Sequence, residues 1–66
     1  MEQLLETGTV GRRLDLSPEY VRLLADRGVL PIAGRTVGGR RLFKAEDVEA
    51  LRQRRAQRDA EEREEP

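Results

Sequence analysis

Between Ser17 and Pro31 the chain carries its own start and stop signals for one short helix, and the rest of the sequence has to be arranged around it. Ser17 can accept a hydrogen bond from a free amide as an N-cap, and Pro18 at the first helical position gives up no bond that a helix would make. Val21, Leu24 and Ala25 recur at the spacing of one buried face, with Glu19, Arg22, Asp26 and Arg27 elsewhere on the wheel. Gly28 is free to turn left-handed at the C-terminal end, and Pro31 blocks any resumption. The helix spans fewer than three turns. Its inner face is apolar and its N-terminal end points bare amides outward, so it reads as a helix presented to a partner.

A second short helix precedes it. Thr7 is placed to cap a segment running through Val10 to Leu14, with Val10 and Leu14 at i, i+4 on one face. Gly11 in its interior disfavours a helix by about 1 kcal/mol relative to alanine, which calls for a packing reason: a missing side chain lets a neighbouring helix come close. Asp15 and Leu16 leave only a tight connection to the Ser17 cap. Two helices so joined, the second capped at its exposed end, form a helix-turn-helix arrangement.

Past Gly28 the apolar run Val29–Ile32 leaves in extended form, and Gly38-Gly39 is a turn signal between two short strands. The expectation is a two-stranded hairpin with Phe43, the chain's one phenylalanine, anchored in the core and the arginines outward. Met1 to Glu6, with Leu4 and Leu5, is expected to lean on the domain as a short arm. From Ala45 the sequence is strongly helical, with acids in its first turn and one apolar stripe, Val48 and Leu51. Beyond Leu51 its apolar positions are alanines. The tail lacks the sustained seam of a dimerising coiled coil and is expected to rely on pairs such as Arg58 with Glu62 and Asp59 with Arg63, fraying toward Pro66. The fold class expected is mainly α with a small β-hairpin: a winged helix-turn-helix of three helices, with residues 1–51 as the domain and 52–66 as a charged, partly helical tail.

With 66 residues the chain has room for one small domain and no enclosed active site with its support. Cysteine and histidine are both absent, which removes thiolate nucleophiles, disulfides and most zinc chemistry. No nucleophile and base are paired and no phosphate-cradling loop occurs, so neither an enzyme nor a cofactor is expected. No apolar run approaches membrane-spanning length, and a cytoplasmic, nucleoid-associated protein is the expectation. The net charge of zero conceals an asymmetry. Eight cations face five acids up to Lys44, and five cations face eight acids after it. Between Arg35 and Lys44 lie four cations and no acid, a strongly positive local field.

Glycine-tipped arginines beside a capped helix point to double-stranded DNA. Arg35, Arg40, Arg41 and Lys44 are candidates for phosphate or minor-groove contact. On the capped helix, Glu19 can accept from a cytosine amino group, Arg22 can pair with guanine or phosphate or locally with Asp26, and Tyr20 can pack at the core edge or offer its hydroxyl to a phosphate. Arg12 and Arg13 are further candidates, and Ser17 marks the exposed helix end. The arginines of the tail, Arg52 to Arg58, read mainly as intrahelical partners, with Arg52 or Arg55 able to reach DNA from the rear. If about five cations neutralise phosphates, the logarithm of affinity falls against the logarithm of salt with a slope on the order of −4 to −5.

The run LSPEYVRLLADRGVLP followed by RTVGGRRLFKAEDVEAL resembles the DNA-binding module of the MerR-like superfamily, most closely its short branch of phage excisionases and BldC-like regulators. The resemblance covers roughly Thr7 to Leu51. It rests on the serine-proline cap, Val21-Arg22, Gly28 and the Gly38-Gly39-x-Arg41-x-Phe43 wing. It implies that the capped helix enters the major groove with Glu19, Tyr20 and Arg22 on its reading positions, and that Arg41 is the wing arginine. Leu23 and Leu24 depart from the arginine or tyrosine and then tryptophan or tyrosine common there, Arg40 replaces a frequent histidine, and Gly11 and Asp15 replace an alanine and a glycine. An excisionase acting with an integrase or recombinase and a small transcription regulator working with RNA polymerase both fit, the chain loading as a monomer, cooperatively, on repeated DNA sites. The alternatives are the N-terminal part of a phage terminase small subunit or of a larger MerR-type regulator, and a protein-binding adaptor.

Overall fold

The computed structural model describes residues 3–63, with side chains through Glu61. In chain order the elements are β1 (Leu4–Glu6), α1 (Thr7–Leu14), α2 (Pro18–Asp26), β2 (Gly34–Arg35), β3 (Arg41–Lys44) and α3 (Ala45–Arg63). The fold is mainly helical with a small antiparallel sheet, a winged helix-turn-helix.

Helix α2 forms for the local reasons its sequence carries. The Ser17 hydroxyl oxygen accepts from the Tyr20 amide at 3.2 Å, and Pro18 opens the first turn. At the other end Gly28 adopts φ 76°, and the amides of Gly28 and Val29 donate back to the carbonyls of Ala25 and Leu24. These two bonds satisfy carbonyls that a helix end leaves bare.

The end of α1 repeats the device with a less suited residue. Asp15 takes the left-handed conformation, φ 58°, and the Leu16 amide reaches back 2.9 Å to the Gly11 carbonyl. Aspartate tolerates this region better than most side chains, which lets it stand where a glycine would be easiest. Gly11 has the packing reason its position required: a Cβ there would sit 2.7 Å from the Leu16 carbonyl oxygen. What comes close is the backbone of the turn. The start of α1 differs from expectation, because Glu6, not Thr7, occupies the N-cap position and its side chain makes no capping bond.

The hairpin closes on Thr36 and Arg40, whose backbones bond at 2.8 Å, with Gly39 left-handed at φ 86°. To this pair the chain adds a third strand. Leu4, Leu5 and Glu6, expected as a short arm leaning on the domain, pair antiparallel with Lys44, Phe43 and Leu42, so the sheet order is β1-β3-β2 and β3 lies in the middle. Leu5 and Phe43 face each other across β1 and β3, and both are buried. Around them Val10 and Leu14 of α1, Val21, Leu24 and Ala25 of α2, Leu30, and Val48 and Leu51 of α3 make one core. The apolar stripe of α3 ends at Leu51 as its sequence indicates, while the helix continues unbroken to Arg63. The tail pairs Arg58–Glu62 and Asp59–Arg63 and the fraying toward Pro66 lie outside the described residues.

Candidate nucleic-acid interface

Successive residues of a helix are about 100° apart, so the three outward sectors of α2 follow from its sequence. Val21, Leu24 and Ala25 point inward. Pro18 and Arg22, four residues apart, share one flank; Tyr20, two residues from each, lies on the opposite flank; Glu19 and Leu23 occupy the exposed middle.

The wing lies against the Arg22 flank. Pro18 and Arg22 of α2, Arg35, Arg40 and Arg41 of the hairpin and Gly8 at the start of α1 line one concave surface of about 560 Å³. Helix and arginine hairpin thus share one side of the molecule. Arg22 reaches no carboxylate among the described residues, and Asp26, the local alternative for it, pairs instead with Arg41, Nη2 to Oδ1 at 3.0 Å. Arg41 also donates from Nη1 to the Arg22 carbonyl at 3.3 Å.

The wing cations are therefore not equivalent. Period-two alternation puts Arg41 on the same face of β3 as Phe43, turned toward the body, and its side chain is only 21% exposed. Arg40, on the other face, is 78% exposed and pairs with Glu6 at 3.3 Å, a surface contact that a stronger anion can displace. Arg35 is exposed and donates to the Gly39 carbonyl at 3.2 Å. Lys44 lies at the far end of β3 opposite Leu4, away from the concave surface. At the hairpin apex Val37 is fully exposed.

On the other flank α3 meets α2. The Arg55 guanidinium stands over the Tyr20 ring, 5.7 Å from its centroid, within the range of a cation–π contact. Arg13, at the end of α1, lines with Arg55 and Arg52 a cleft of about 370 Å³ between the α1–α2 turn and α3. Arg12 donates to the Thr9 hydroxyl within α1 and lines neither concavity. Arg52 is bound to Glu49, Nε to Oε2 at 2.9 Å. The Arg52 guanidinium holds the Glu49 carboxyl below the usual carboxylate range, chiefly through this hydrogen bond. Nothing in the sequence announces the Tyr20–Arg55 contact, since the two residues belong to separate elements joined only by the fold.

A helix-turn-helix domain family model matches residues 4–56, from the first residue of β1 to the middle of α3. The chain belongs to the helix-turn-helix domain family. Domains of this type are DNA-binding modules, and this helix-turn-helix protein carries the two helices, the tight turn and the capped second helix that define them. The match takes in β1, in keeping with a third strand that belongs to the domain. No curated protein and no solved structure gives a significant match to the chain.

Proposed function

We propose that this protein reads double-stranded DNA as a MerR-like winged helix-turn-helix, with α2 in the major groove and the hairpin on the adjacent backbone or minor groove. The observation that carries the reading is the single concave side shared by Pro18 and Arg22 of α2 and by Arg35 and Arg40 of the wing. A recognition helix about 10–12 Å across fills a major groove of about 12 Å, and the neighbouring phosphates then pass along a hairpin at its side. Glu19 and Arg22, near the capped end, are the base-reading residues, while Arg35 and Arg40 bind phosphate. Ser17 fixes the helix end and Tyr20 its α3 flank. Arg41, tied to α2, sets the angle of the wing. Arg12, Arg13 and Lys44, the other DNA-contact candidates, lie off this concave surface and add to the general positive charge of the domain.

A single small module buries less than about 1,000 Å² on DNA, so firm occupancy calls for several copies on adjacent sites. The stretch of α3 beyond Leu51, whose only apolar side chains are alanines, supports monomers that load side by side over a preformed dimer. An architectural factor beside a recombinase or a small transcription regulator touching RNA polymerase would use the module in this way.

The test is equilibrium binding of mixed-sequence duplex across a salt series, for the parent and an Arg35→Ala, Arg40→Ala variant. Loss of affinity for all sequences, with a slope shallower by about 2, is expected from removing two phosphate contacts. Unchanged binding by the double variant removes the wing from the interface. Absence of duplex binding by the parent at low salt overturns the reading as a whole.

A further inference from the structure

We propose a second phosphate-binding flank, formed by Arg55 of α3 and Arg13 at the end of α1, that grips the DNA backbone on the side of the major groove opposite the wing. The inference rests on α2 being the helix that enters the groove.

Three observations bring it together. Tyr20 projects from α2 on the side opposite Pro18 and Arg22, so anything seated on Tyr20 flanks the helix across from the wing. Arg55 is seated there, half-buried over the ring, in a stretch of α3 whose neighbouring side chains are exposed. Arg13 and Arg55 line one cleft, and among the described residues no ion pair engages either of them.

The chemistry suits an anion. A guanidinium held over an aromatic face keeps hydrogen-bonding capacity, because its N–H groups radiate in its own plane and those not turned to the ring stay free. Holding the side chain against Tyr20 also removes part of the rotamer freedom that a long arginine gives up on binding. Two arginines across a cleft can share one phosphate, whose oxygens match the guanidinium fork. Asp15 and Asp59 line the same cleft and reduce its field. Arg52 is occupied by Glu49 and contributes less. A major groove is bordered by two backbones, and with the wing on one of them, this cleft faces the other.

The experiment compares the full chain with Arg55→Ala, Arg13→Ala and Arg54→Ala variants on the same mixed duplex across a salt series, with folding checked by circular dichroism. Arg55→Ala and Arg13→Ala should each make the salt slope shallower by about 1 and weaken all sequences equally. Arg55→Lys should restore the slope, and Arg54→Ala, on another face of α3, should leave it unchanged. Duplexes carrying single neutral methylphosphonates should then show loss at phosphates on both borders of the groove for the parent and on the wing border alone for Arg55→Ala. Parent-like slopes for both alanine variants overturn the second flank while leaving the wing reading intact. A parent that binds no duplex removes both.

Discussion

The two flanks of α2 are held in different ways. On the wing side the hairpin is itself fixed by sheet and core: β3 is bonded to strands on both of its edges, Phe43 is sunk in the core, and the Arg41 side chain ties this strand to Asp26 and to the Arg22 carbonyl. On the α3 side one cation rests on one ring, and the helix beyond Leu51 has no apolar side chain larger than alanine to hold it down. An element fixed through sheet and core can present charge at a defined distance from the helix. An element fixed through a side chain can present charge that adjusts. The wing should therefore govern register on DNA, and α3 should add affinity with little discrimination.

Phe43→Ala tests the stronger side and should have the largest effect. Burying a phenylalanine and then deleting it costs about 3–5 kcal/mol, which is most of what a domain of this size has to spare. Urea denaturation should show a protein largely unfolded at 25 °C. Tyr20→Ala, at the matching place on the α3 flank, should cost about 1 kcal/mol or less in stability, since the residue is more than a third exposed, and should register mainly in DNA affinity. Equal destabilisation by the two would mean that the flanks are built alike.

The coupling of wing to helix is the next largest effect. Arg41→Ala and Asp26→Ala, singly and together, form a double-mutant cycle whose coupling should be about 0.5–1 kcal/mol by urea denaturation, limited by the solvent exposure of Asp26. On DNA the two single variants should weaken binding without the loss of slope expected of a phosphate contact. If Asp26→Ala instead tightens binding and Arg41→Ala makes the slope shallower by about 1, Arg41 is a phosphate ligand that Asp26 competes for, as the wing arginine of the family resemblance implies.

The parts of this molecule that could be read from the sequence are those whose causes are local. Ser17, Pro18 and Gly28 delimit α2 through a cap, a fixed first turn and bonds between residues at most five apart, and Gly38-Gly39 marks the hairpin turn in the same local way. Phe43 was legible because the chain's one phenylalanine, on a short strand, has few other places to go. The strand β1 was not, since three residues carry no period and their partners lie about forty positions downstream. The Arg22–Asp26 pair that helix spacing allows as an alternative yields to Arg41, whose side chain reaches Asp26 from β3. Gly11 announced a close approach, expected from a neighbouring helix; what comes close is the Leu16 carbonyl of the turn, which follows a left-handed Asp15. At the candidate interface, wing and helix could be named residue by residue, whereas the ranking of the wing arginines by what already holds them required the strand's faces.

The smallest effect concerns why Arg55, and not Arg52, serves the α3 flank. Arg52 lines the same cleft, but its guanidinium is engaged by Glu49, whose carboxyl it holds below the usual range. Because that pKa is lowered on folding, the pair's stabilisation is complete above the carboxyl's unfolded value and disappears as pH falls through the folded one, in the acid range. Both side chains are half-exposed, so the change in stability should be slight, and the sharper readout is the Glu49 carboxyl titration by NMR, which should move toward the ordinary value in Arg52→Ala. At neutral pH Glu49→Gln removes the competing carboxylate and leaves Arg52 charged. It should steepen the salt slope of DNA binding by less than about 1, as a third cation joins Arg13 and Arg55. A shallower slope in Glu49→Gln would mean that the Glu49–Arg52 pair holds α3 in its binding position, and the α3 flank would then be as dependent on fixed contacts as the wing.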